Sequence, residues 1–308
     1  MKKQMMHASL VALALVVAPE VSATPTPLAP IAAPAARDLD VAIAKARTAN
    51  PESFRAIAKL RDELPTLGRK ARSGKVNVRA LLVAQGKTAL PAILAELREG
   101  PEATPGGWLA PTITSWSVGL LETAGHWGDP IAIPVLEAAA LHPRANPEVV
   151  AAAVRGLGML ATDEAAKRVE GIFEAQASMR TKIAPAVGSC RRLTTARFLG
   201  GRFAAARGAE AVAIAEGLGQ VASAWAWKTP ELEKRGEGND VRRVAFESLL
   251  GRYEAADPSL RKAIVDALWL VDLPNGPALA RGASVTTPAA AAVFEALAKQ
   301  LEKSPLRR

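Results

Sequence analysis

A lone cysteine, Cys190, leaves no partner for an internal disulfide, even in an oxidising compartment. It reads as a small buried apolar side chain, with intermolecular pairing or a reactive thiol as the alternative. Histidine is almost as scarce. Beyond an N-terminal leader only His126 and His142 remain, one on each side of an expected helix. A metal site needs three or four convergent ligands, and no H-x-x-x-H pair or carboxylate cluster supplies them. There is no G-x-S-x-G, no P-loop and no G-x-G-x-x-G after a strand. The corner His126-Trp127-Gly128-Asp129 reads as a helix-capping turn. Neither a cofactor, a metal nor an enzymatic activity is expected. Long apolar runs are also missing. Past residue 23 none approaches the roughly 18 residues of a membrane span.

The run that does exist is short and terminal. Lys2 and Lys3 precede eleven apolar or small residues, Ala8 to Ala18, and Val21-Ser22-Ala23 offers a small-residue cleavage site. Residues 1–23 therefore read as a secretory signal peptide, and the mature chain as exported, to a periplasm or beyond. Residues 24–37, rich in Pro and Ala, read as an extended linker. Residues 38–308 form the expected domain.

From Asp38 onward the periodicity is helical rather than alternating, broken at Gly, Pro, Asn and Asp clusters every 12 to 20 residues or so. Helices are expected near 38–48, 51–64, 76–85, 88–99, 110–124, 130–141, 147–160, 163–177, 180–189, 192–206, 208–226, 240–254, 258–271 and 286–303. Asp129 and Asn146 stand where they can cap helices, each followed by a proline at the first helical position. Pro134 should bend its helix. Gly119, Gly156-Leu157-Gly158 and Gly217-Leu218-Gly219 put small residues on helices that must approach their neighbours closely. Without that role each interior glycine costs about 0.5–1 kcal/mol relative to alanine.

Two segments repeat. Ala89-Leu90-Pro91-Ala92-Ile93-Leu94 and Ala132-Ile133-Pro134-Val135-Leu136 have prolines 43 residues apart, within the period of two-helix repeats. Together with Gly128-Asp129-Pro130 and the run from Asp240-Val241-Arg242-Arg243-Val244 to Leu250-Gly251, they resemble HEAT repeats. The likeness extends to the short HEAT-like repeats also found in phycobilin lyases. No pigment-attachment signature accompanies them, so lyase activity is not implied. The resemblance implies an all-α fold, a right-handed α–α superhelix of about six degenerate helix pairs. It also implies protein binding along a concave solenoid surface.

Charge suggests where binding could concentrate. The chain carries +9, and +8 once Lys2, Lys3 and Glu20 are removed. Arg180, Lys182, Arg191, Arg192, Arg197, Arg202 and Arg207 succeed one another with no acid between them. Arg55 to Arg79 holds eight basic residues against Asp62 and Glu63. Clustered arginines suit carboxylate or phosphate. The candidate partner-binding residues are Arg180, Arg191, Arg192 and Arg202, of which Arg191 and Arg202 would share a helical face. Trp108 and Trp225 join them, since tryptophan is favoured at binding hot spots. Trp225 and Trp227 flank Ala226, so one of them should lie at an exposed end or loop. The loops Gly100–Pro111 and Glu231–Asp240 are candidate contact sites. A protein partner is expected first. An anionic envelope polymer or lipid headgroup on the 180–207 region is the alternative, and an enzyme built on the array a third. Nucleic acid is disfavoured by export.

Overall fold

The computed structural model describes residues 31–99, 108–142, 145–283 and 288–304. The expected signal peptide, residues 24–30 of the expected linker and residues 100–107 of the first candidate loop lie outside the described residues. All regular structure among the described residues is helical. None of these helices is long and apolar enough to cross a membrane.

In chain order the first eight are α1 (Ala33–Ala49), α2 (Pro51–Lys70), α3 (Val78–Val83), α4 (Leu90–Glu99), α5 (Ala110–His126), α6 (Ile133–Leu141), α7 (Pro147–Leu160) and α8 (Asp163–Ala175). The rest are α9 (Arg180–Val187), α10 (Leu193–Ala205), α11 (Gly208–Val221), α12 (Pro230–Glu233), α13 (Gly238–Tyr253), α14 (Pro258–Val271), α15 (Gly276–Gly282) and α16 (Pro288–Glu302). Helix α1 begins five residues before the expected domain start, at Ala33. Pro34 sits in its first turn, where a missing N–H is harmless, and Ala36, Leu39 and Ile43 are buried.

The expected caps form. Asp129 accepts from the Ile131 N–H at 3.2 Å and Asn146 from Glu148 at 2.8 Å. Asp257 also caps α14, accepting from Leu260 at 2.9 Å. Pro134 does not bend a helix interior. Short 3₁₀ turns, Lys87–Ala89 and Pro130–Ala132, run into α4 and α6, and Pro91 and Pro134 are the second residues of those helices. A proline there removes no intrahelical donor. The two segments thus fold alike, and α4 packs on α6.

The helices lie in two rows. In the first row α3 packs on α5, α5 on α7, α7 on α9, α9 on α11, α11 on α14 and α14 on α16. In the second row α4 packs on α6, α6 on α8, α8 on α10 and α10 on α13. Cross-contacts α4–α5, α6–α7, α8–α9, α10–α11 and α13–α14 join the rows over a shared apolar core.

Glycine sets the first-row spacing. A Cβ on Gly156 would lie 2.6 Å from the Leu121 carbonyl oxygen of α5, and one on Gly158 would lie 2.7 Å from the Cys190 backbone nitrogen beyond α9. Gly217 and Gly219 repeat the arrangement, meeting Ala184 of α9 at 2.5 Å and Ala267 of α14 at 3.0 Å. Residues two apart on a helix are rotated by about 200°, so each Gly-Leu-Gly serves both flanks and its Leu points into the core. Leu157 and Leu218 are fully buried. Gly119 does the same against Val78 of α3.

Candidate functional site

The acid-free stretch 180–207 is not a free basic face. Arg180 lies 3.2 Å from Glu174 and 3.8 Å from Glu210, and Arg202 lies 2.5 Å from Glu174. Arg192 reaches Asp163 at 2.7 Å and Glu237 at 3.2 Å, while Glu237 also accepts the Leu193 N–H at 2.9 Å. The acids come from other helices and turns, and folding brings them in. The shared face expected for Arg191 and Arg202 does not form. Helix α10 starts only at Leu193, and Arg192 is extended, with φ −132° and ψ 151°. Arg191 is half-buried, and burial pushes its pKa down. Lys182 and Arg197 are exposed.

Arg180, Arg192 and Arg207 of this stretch, and several arginines outside it, also close helix ends. The last carbonyls of a helix have no intrahelical donor and carry the negative end of its dipole. Arg180 donates to the Phe173 and Glu174 carbonyls of α8, at 3.2 and 3.5 Å. Arg252 donates to Phe203 of α10, and Arg261 to Tyr253 and Glu254 at the end of α13. Each of these guanidiniums lies over the ring beneath it, 5.3 Å from Phe173, 4.7 Å from Phe203 and 5.9 Å from Tyr253. In the first row α7 ends on left-handed Ala161, whose carbonyl accepts from Arg192 and Arg235 at 3.4 and 2.9 Å. Helix α14 ends on left-handed Asp272, and Arg242 takes the Val271 and Asp272 carbonyls. Arg207 spans the Ala204, Ala205 and Ala206 carbonyls at the end of α10. Much of the positive charge of the chain is therefore structural.

The tryptophans divide. Trp108 is partly buried, packing against the core and edge-on against Trp116, centroids 6.5 Å apart. Trp227 is buried and donates to the Val221 carbonyl at 2.9 Å. Trp225 is 61% exposed, with the Lys228 ammonium 5.1 Å from its ring centroid. The second candidate loop is partly helical, since α12 and the start of α13 occupy much of it.

Cys190 is buried, and burial pushes its thiol up to about 11. The folded state therefore keeps this proton while an unfolded thiol, near 9.0, loses it. The stability that this difference contributes is present below about pH 9 and is lost as pH rises towards 11. We expect a thiol-disulfide reagent at pH 8 to label the unfolded protein and leave the folded one unmodified. Rapid labelling of folded protein would contradict this burial. Among the described residues no group of three His, Cys, Asp or Glu side chains is placed to hold a metal. His126 ends α5 and His142 comes directly after α6. Burial, and then Arg79, lower the His126 pKa.

Sequence reasoning does not reveal the polar centre of the first row. Glu122 of α5 has only 12% of its side chain exposed and is held between Arg155 of α7 and Arg79 of α3. The Arg79–Glu122 separation is 4.0 Å, and Arg79 also points a donor at the Met159 sulfur, 3.9 Å away. Val118 and Glu122, Arg155 and Met159, and Val212 and Glu216 are i, i+4 pairs on the first-row helices α5, α7 and α11, all at least partly exposed. The i, i+4 spacing is visible in the sequence; the pairing between helices is not.

No family model, curated protein or solved structure matches the chain. Function therefore rests on the geometry alone. The partly exposed pairs on α5, α7 and α11 make a mixed polar and apolar ridge on the first row.

Proposed function

We propose that this chain is an exported HEAT-like α-solenoid, a right-handed stack of about six helix pairs. It acts as a non-enzymatic scaffold that holds a protein partner along the exposed ridge of its first row. The observation that carries this reading is the glycine-spaced row itself. Neighbours occupy both flanks of α5, α7 and α11, and the second row occupies their backs. On these three helices the ridge is the face left open to another molecule, and it recurs on α5, α7 and α11. Helices fixed on three sides lose little conformational freedom on binding, so a partner meets a preorganised surface. The like folding of the Pro91 and Pro134 segments supports the repeat reading. Arg180, Arg192, Arg202 and Arg207 serve as internal clamps in this scheme.

Photo-crosslinking residues at Val118 and Val212, on the ridge, and at Lys167, exposed on α8 of the second row, test the proposal in the native host. The same discrete adduct is expected at both ridge positions and none at Lys167. Adducts at Lys167 alone, or none at any position, would overturn it.

A further inference from the structure

We propose that Arg79 and Arg155 form a receptor for a carboxylate on an acidic segment of the protein partner; this rests on the scaffold reading. The first observation is charge. Two guanidiniums share Glu122 as their carboxylate, whereas Arg180 and Arg202 have both Glu174 and Glu210. Arg192 alone reaches two acids, Asp163 and Glu237. The Arg79 and Arg155 centre therefore keeps one positive charge in excess.

The second observation is access. The Arg79 and Arg155 side chains are 41% and 37% exposed, while Glu122 beneath them is 12% exposed. Glu122 orients both forks from below and leaves donors facing outward. Arg79 spends one donor on a thioether, a weak acceptor that a carboxylate would displace with gain. The third observation is the surrounding field. Arg69 and Lys70 at the end of α2 and Arg72 just beyond it are exposed, and no acid within 4 Å pairs with Lys70 or Arg72 among the described residues. Lys75 meets Glu148 at 3.8 Å, so that pair adds no net charge. An acidic segment lying along α3 would meet positive charge along its length, with one carboxylate seated between Arg79 and Arg155. Met159, 3.9 Å from the Arg79 fork, borders the seat and would pack against the stem of that side chain.

The test uses fluorescence anisotropy of a fluorescein-labelled octaglutamate peptide with the mature protein. Arg79→Gln leaves the Arg155–Glu122 pair in place and so avoids stranding a buried carboxylate. Loss of one charge-assisted fork is expected to weaken binding by about tenfold. The Lys182→Gln/Arg197→Gln double variant should bind like wild type, and added salt should weaken binding of both. In the unaltered protein, octaglutamate should shift the NMR resonances of the Arg79 and Arg155 side-chain N–H groups. Equal binding by Arg79→Gln, no binding up to millimolar peptide, or tighter Arg79-dependent binding to anionic phospholipid vesicles would overturn the proposal. If octaglutamate fails while Val118 and Val212 still crosslink, the carboxylate seat falls and the scaffold reading stands. Loss of the crosslinks removes both.

Discussion

Replacing Gly156 by alanine is expected to destabilise the protein by about 3 kcal/mol or more, although the same change in an open helix is stabilising. The new methyl would lie 2.6 Å from the Leu121 carbonyl oxygen and 3.0 Å from a Leu136 methyl. A backbone oxygen cannot swing aside as a side-chain end can. Helices α5 and α7 must move apart, and each is held on its far flank by another helix. Gly217→Ala should behave alike, since its methyl would meet the Ala184 oxygen at 2.5 Å. Gly171 is the control. It is exposed in α8 with nothing within 4 Å of an added Cβ, so Gly171→Ala should gain about 0.5–1 kcal/mol. Urea denaturation of the three variants measures the difference. Equal effects at Gly156 and Gly171 would mean that the first row is not packed backbone to backbone.

Trp116→Ala is expected to cost about 3–5 kcal/mol. Its side chain is 1% exposed and fills the space between α5 and its neighbours, with the Trp108 ring edge-on at 73°. Removing the indole leaves a cavity and strips Trp108 of its aromatic partner, an interaction worth about 0.5–1.5 kcal/mol beyond burial. Trp116→Phe should cost much less. Among the described residues no acceptor pairs with the buried indole N–H, and phenylalanine removes that donor along with part of the ring. Denaturation midpoints of the two variants should therefore separate clearly. A Trp116→Phe loss as large as that of Trp116→Ala would show that the indole nitrogen is satisfied.

Local features are legible in the sequence and long-range ones are not. Asp129, Asn146 and the prolines after them announce helix starts, because capping is settled within a few residues. Gly156 and Gly158 announce close approach, because an interior glycine needs a reason. The true start of α1 is hidden because Pro34 and the alanines around it read as linker, yet a proline in the first turn is compatible with a helix. Short helices α12 and α15 carry too few residues for a periodicity. The basic stretch misleads most. Arg180, Arg192 and Arg202 are neutralised by Glu174, Glu210, Asp163 and Glu237, which lie on other elements. A charge run shows its own sign and says nothing of the acids that folding delivers. The Arg79–Glu122–Arg155 centre is hidden for the same reason, since its three members are supplied by α3, α5 and α7.

The claim beneath both proposals is that the helices form a row in which each depends on its neighbours. Hydrogen–deuterium exchange on Gly156→Ala, set against wild type under native conditions, tests it most directly. Protection should fall in α5 and α7 and persist in α14 and α16, because a nearest-neighbour array loosens where it is struck. A uniform loss of protection from α1 to α16 would contradict the row and point to a single cooperative globule.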